Sequence, residues 1–210
     1  MQQVDPVATL TSIILSETRA FGPSPRTGGV IHQINAGTAK QIAELIVKHA
    51  PEYGLAPSLI AAGLCGESRF DPTALNPNWQ DRTKPQETEF EEFMHTDIGL
   101  CQFDGATLFD DPEFKGATLA QVRAKAYDPN WSVPAFCAFV AKLVTDTKAE
   151  VAAEQTLLDN VPNHDIMVLT TEAYNAGLHG AAHHAHAKGD FSYGQRWVAN
   201  AAKYEALLKG

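Results

Sequence analysis

Apolar residues recur along most of this chain three and four positions apart, and no segment keeps up a two-residue alternation. That periodicity predicts a mainly α protein. A first helix is expected over residues 5–20, where Asp5-Pro6 offers an N-cap and an N1 proline ahead of Leu10, Ile13 and Ile14. A second, over 37–50, places Ile42, Leu45, Ile46 and His49 on one side. A third starts at Pro57 and carries Ile60, Gly63, Leu64 and Glu67 at i, i+3, i+4 and i+7, so a carboxylate ends an apolar stripe. Further helices are expected at 118–126 and from Asp128 onward, the latter with Phe136, Phe139, Val140, Leu143 and Val144. Another runs from Asp165 to Ala176, with Gly177 as its stop. The last, over 194–208, shows Trp197, Val198, Ala201, Tyr204 and Leu208 on one face.

Two stretches break the pattern. FGPSPRTGG, residues 21–29, reads as a linker, which makes residues 1–36 an N-terminal appendage and 37–210 the main domain. Residues 71–97 are polar, acidic and turn-rich, and predict an irregular excursion with one short helix around Glu87 to Met94. Any strands are expected inside 71–98, followed by a short helix in GLCQFDGATLF. Long excursions of this kind tend to carry function.

Composition narrows the function. With 210 residues the chain can bury one sizeable core. A formal net charge of -9 argues against electrostatically driven binding to nucleic acid, anionic membranes or anionic wall polymers. Cys65, Cys101 and Cys137 are odd in number and widely spaced, and read as buried apolar residues in a reducing compartment. There is no membrane-length apolar run, and Met1 to Asp5 does not open a secretory signal.

The candidate chemistry centres on Glu67. A carboxylate at the end of an apolar stripe is partly desolvated, which raises its pKa and suits it to general-acid work. A solvated glutamate at a frayed helix end is the plainer alternative. His179, His183, His184 and His186 lie in LHGAAHHAHAKGD, and the i, i+4 pair His179 and His183 could bind a metal. No acidic third ligand accompanies them at fixed spacing, so a solvated Ala-rich helix and a metal-free, cofactor-free protein are expected. The run Glu87, Glu89, Glu91, Glu92 reads as a solvated face.

Four pieces then occur in order: Glu67-Ser68-Arg69-Phe70-Asp71-Pro72-Thr73-Ala74, Gly99-Leu100-Cys101-Gln102, Ala173-Tyr174-Asn175-Ala176-Gly177, and a terminal helix with Trp197-Val198 and Tyr204. They resemble the lysozyme-like superfamily of soluble lytic transglycosylases and goose-type lysozymes, whose motifs are E-S, G-L-M-Q and A-Y-N-A-G. The resemblance covers about residues 38 to 208, including Tyr53 to Ile60 before the glutamate and Asp128-Pro129-Asn130-Trp131 before the long helix. It departs at Cys101, where the family usually has Met, and at Asn76, where many transglycosylases have a serine thought to position the substrate's N-acetyl group. Asn76-Pro77-Asn78-Trp79-Gln80-Asp81-Arg82 and Gly99 to Asp104 are similar to the N-G-W-G-D-R and G-L-M-Q-V-D of the goose-type group.

The resemblance implies a lysozyme-like helical domain that cleaves the β-1,4 bond between MurNAc and GlcNAc in peptidoglycan. It makes Glu67 the general acid and Asp104 and Asp81 the carboxylates that position water for inverting hydrolysis. Gln102, Tyr174, Asn175, Ser68 and Asn76 would contact or order the substrate. Two alternatives stay open: a lytic transglycosylase, in which the sugar's 6-hydroxyl attacks to give a 1,6-anhydro product, and a wall-binding or virion module without activity. Ser68 reads as a helix-end residue rather than a nucleophile. The implied partners are glycan strands, with no nucleic acid or membrane and a monomer favoured. The implied setting is a phage endolysin released from the host cytoplasm through a holin, or a virion-associated lysin, acting on the wall from the periplasm; a bacterial effector is the other option.

Overall fold

A computed structural model describes residues 4–19, 32–77 and 89–210. It is mainly helical with one small antiparallel sheet. In chain order the elements are α1 Pro6–Arg19, α2 Ala36–Glu52, α3 Pro57–Ser68, β1 Leu75–Pro77, α4 Glu89–Met94, β2 Thr96–Ile98 and β3 Phe103–Asp104. They continue with α5 Gly105–Asp110, α6 Leu119–Ala126, α7 Pro129–Ala153, α8 Ile166–Ala187 and α9 Ser192–Lys209. Among the described residues no helix is long and apolar enough to cross a membrane.

Two compact units divide the chain. A helical unit comprises Met1–Asp5, Ile46–Gly63 and Ala135–Gly210, and a sheet unit comprises Pro6–Leu45 and Leu64–Pro134. The boundary expected near residue 36 therefore does not separate them. α1 falls in the sheet unit and buries Leu10 and Ile14 completely.

In the helical unit, α8 and α9 enclose a core of Leu143, Leu157, Val161, Val168, Leu169, Ala173, Ala181, Ala185 and Phe191. Beside it, the Phe136 and Trp197 rings stack at 5.8 Å with planes 8° apart. Tyr174 meets Phe136, Phe139 and Trp197 edge-on at 5.3, 5.5 and 5.4 Å. Edge and offset contacts let the ring quadrupoles attract, and add to the burial energy of each ring. The Trp197 indole N–H donates to the Leu59 carbonyl at 2.8 Å. The same ring lies where a side chain at Gly63 would be, since a Cβ there would sit 2.1 Å from the indole. Only glycine lets α3 and that ring approach so closely.

Two local expectations change and one is extended. Gly177, with a non-helical φ of 71° and ψ of 162°, ends the first segment of α8 as expected; the helix then resumes through the histidine segment to Ala187. It resumes because that segment has an inner face: Ala181 and Ala185 are buried, while His179, His183 and His186 are exposed. GLCQFDGATLF is not one helix. The left-handed backbones of Gly99 (φ 73°) and Gln102 (φ 53°) make a turn, β3 follows, and α5 starts only at Gly105. One strand thus lies beyond the 71–98 excursion. Finally, α3 is not a stripe: Ile60, Ala61, Ala62, Leu64 and Cys65 are all buried, so most of its circumference faces protein.

The sheet order is β1-β2-β3. Its register pairs Leu75 with Ile98, Asn76 with Asp97 and Pro77 with Thr96, and then Asp97 with Asp104 and Ile98 with Phe103. Partners across a ladder point to the same face, and neighbours along a strand to opposite faces. One face therefore carries the row Leu75, Ile98, Phe103, of which Ile98 and Phe103 are buried. The other carries Asn76, Asp97 and Asp104, all half-buried.

Candidate active site

Glu67 is the penultimate residue of α3 and is half-buried. Pro57 opens the helix, where its missing N–H costs nothing, and the left-handed pair Arg69 (φ 54°) and Phe70 (φ 63°) closes it. Consecutive non-glycine residues in that region cost roughly 1–2 kcal/mol each. The surroundings hold them there. The Arg69 N–H donates to the Cys65 carbonyl at 3.2 Å, the Phe70 N–H to Leu64 at 3.4 Å, and the Phe70 ring is fully buried.

Ser68, next to Glu67, has no exposed surface. Its hydroxyl meets the Leu64 carbonyl at 3.2 Å and the Leu100 carbonyl at 2.8 Å. The second bond ties the end of α3 to the turn between β2 and β3. A hydroxyl so enclosed serves the fold, and it fixes the place where Glu67 leaves the helix.

Asp71 anchors the chain on the far side. It is 1% exposed and accepts the Thr73 N–H at 2.9 Å and the Thr73 hydroxyl at 2.8 Å through Oδ1. Its Oδ2 accepts the His32 N–H at 2.6 Å and lies 3.1 Å from His32 Nδ1. A buried carboxylate has to find hydrogen-bond donors, and these bonds supply them. Sequence reasoning gave Asp71 only as part of a motif and did not connect it to His32.

The sheet brings the remaining polar groups of this unit together. Asn76 Nδ2 donates to Asp97 Oδ2 at 3.1 Å. Asp104, opposite Asp97, caps α5: its Oδ1 accepts the Thr107 N–H at 2.5 Å. Gln102 turns its amide inward, with Nε2 donating to the carbonyls of Gly99 at 2.8 Å and Ala74 at 3.3 Å. Its donors therefore close the turn, which leaves the amide oxygen for any ligand. Asp81 lies outside the described residues.

Asp97 was not singled out from the sequence. The only cue was its place just before the motif; its pairing with both Asn76 and Asp104 follows from register, which the sequence does not show.

Tyr174 and Asn175 belong to the helical unit. Tyr174 is half-buried in the aromatic group described above, and Asn175 is exposed. In that unit Glu172, 2% exposed, accepts the buried Gly194 N–H at 3.0 Å at the start of α9. Its other oxygen lies 3.7 Å from His184 Nδ1.

The three cysteines are free and buried. Cys101, standing where the related motif has Met, gives its thiol to the Ser132 carbonyl at 3.1 Å. Burial pushes the Cys137 thiol up to about 12. Among the described residues no group of three His, Cys, Asp or Glu is arranged to hold a metal ion.

The site is thus a half-buried glutamate at the end of a buried helix, tied to a three-stranded sheet with one polar row. No protein-family model matches the chain, and no curated protein matches it either.

Proposed function

We propose that the protein is a lysozyme-like glycosidase that cleaves the β-1,4 bond between MurNAc and GlcNAc in peptidoglycan by hydrolysis. The observation that carries this reading is the coupling of Glu67 to the sheet. The end of its helix is bound through Ser68 to the Leu100 carbonyl, in the turn that joins two strands bearing aspartates. Glycosidic cleavage needs a proton on the leaving oxygen and a carboxylate for the attacking water, and inverting enzymes set the two carboxyl groups roughly 6.5–9.5 Å apart. Glu67 is the acid. The resemblance supplies Asp104 and Asp81 as candidates for the second group.

One observation favours the runner-up, a lytic transglycosylase. Asp104 already spends one carboxylate oxygen on the α5 cap, and intramolecular attack by a 6-hydroxyl needs no second carboxylate. The substrate would be glycan strands, and the setting a phage endolysin or a virion-associated lysin.

The deciding experiment is mass spectrometry of fragments released from purified peptidoglycan, with Glu67→Gln as control. Hydrolysis gives reducing-end MurNAc carrying one added water, and Glu67→Gln is expected to lower release by at least about 10²- to 10⁴-fold, the scale of general-acid catalysis. Anhydro-MurNAc would establish the runner-up. No fragments from the wild type, or undiminished release by a folded Glu67→Gln, would overturn the reading.

A further inference from the structure

The sheet register places a further carboxylate beside Asp104 for the water-activating role. We propose that Asp97, on the central strand, is the catalytic base that takes a proton from the attacking water; the inference rests on the glycosidase reading above.

Three features of the sheet unit support the assignment. Asp97 is the middle member of the polar row, opposite Asn76 on one side and Asp104 on the other. β2 is hydrogen-bonded on both edges, so Asp97 stands on the most constrained backbone of the sheet, as a general base must to be held at one geometry. Two residues on, the Gly99 N–H donates to the Ala74 carbonyl at 2.8 Å, and the next residue, Leu100, accepts the Ser68 hydroxyl. The strand of Asp97 and the helix end of Glu67 are thus joined through one turn.

The polar neighbours divide the labour. Asn76 donates its amide to Asp97 Oδ2, which holds the side chain in one rotamer. Asp104 serves the Thr107 N–H as a helix cap. In the reaction Glu67 gives its proton to the leaving GlcNAc oxygen as the C1–O bond breaks. Water attacks C1 from the opposite face and passes its proton to Asp97. Glu67 ends ionised and Asp97 protonated, and exchange with solvent restores both.

The test uses the full chain and purified peptidoglycan. Asp97→Asn keeps the shape of the side chain and an acceptor for Asn76, but cannot take the proton. It is expected to fold as wild type by circular dichroism and to release fragments about 10²- to 10⁴-fold more slowly.

The second measurement adds sodium azide to Asp97→Ala or Asp97→Ser, whichever melts close to wild type. Azide needs no base, so release should recover and the fragments should carry α-linked azide on MurNAc. Undiminished release by folded Asp97→Asn, loss without azide rescue, or anhydro products from the wild type would each overturn the role of Asp97 while leaving a glycosidase. No fragments from the wild type would take down the glycosidase reading beneath it.

Discussion

The two units are held by different means. In the helical unit the decisive contacts are between side chains. Phe136, Trp197 and Tyr174 pack ring on ring, and Glu172 and Ser58 spend buried polar groups on fixing helix ends. Its left-handed non-glycine residues, Asn163, His164 and Lys188, sit at helix boundaries. In the sheet unit the decisive contacts run through backbone. Arg69, Phe70, Gly99 and Gln102 all adopt positive φ within or beside the candidate site; Ser68 and Gln102 bond to main-chain carbonyls, and Asp71 to main-chain and side-chain donors alike. A packed core sets where helices lie; a backbone-pinned turn sets where single side chains point. Catalysis asks for the second kind of precision.

The sharpest way to break this contrast is Trp197→Ala. The ring is 4% exposed and has partners on three sides, so truncation should cost about 3–5 kcal/mol. Urea unfolding followed by circular dichroism would measure it. A loss below about 1 kcal/mol, the scale of an ordinary surface change, would mean that aromatic packing does not hold the helical unit.

Gly99→Ala probes the other unit and is expected to cost somewhat less. An alanine at φ 73° carries roughly 1–2 kcal/mol of backbone strain. Its Cβ would also fall 2.5 Å from the Ala126 carbonyl oxygen, so the turn has to shift. We expect a stability loss of about 2–3 kcal/mol. Activity should fall further than that loss implies, because Glu67 and Asp97 are both tied to this turn. Equal retention of activity and fold would show that the turn does not position them.

The same contrast explains what the sequence revealed. Helical periodicity is a property of side-chain packing, so α2, α3 and α7 were legible from Ile42, Ile60 and Phe136 and their spacing. Strands of two and three residues are too short for period-two alternation to register, and so β3 was absorbed into an expected helix. Glu67 stood out because its motif and its place at the end of an apolar helix are both local features of the sequence. Asp97 did not, because its meaning lies in partners at positions 76 and 104. The packing of α1 was hidden by a Pro/Gly-rich stretch, which marks a break in secondary structure but says nothing about docking.

The smallest expected effect concerns a charge in the helical unit. Ser58, buried near the start of α3, donates its hydroxyl to Glu205 Oε2 on α9 at 2.7 Å. That bond, and then the Lys209 ammonium, hold the Glu205 carboxyl below its ordinary value. A folded-state pKa below the unfolded one adds stability above about pH 4.3, the ordinary glutamate value, and that stability is lost as pH falls through the folded value. Glu205 is 36% exposed, so solvent screening limits the contribution to about 0.5–1 kcal/mol. Ser58→Ala should therefore lower the urea midpoint slightly at pH 7, with a gap to wild type that narrows as the pH drops below about 4. A gap that stays constant down to pH 3 would assign the loss to packing around a buried small residue instead. Packing around Ser58, rather than its hydrogen bond to Glu205, would then be what ties the two helices together at this point.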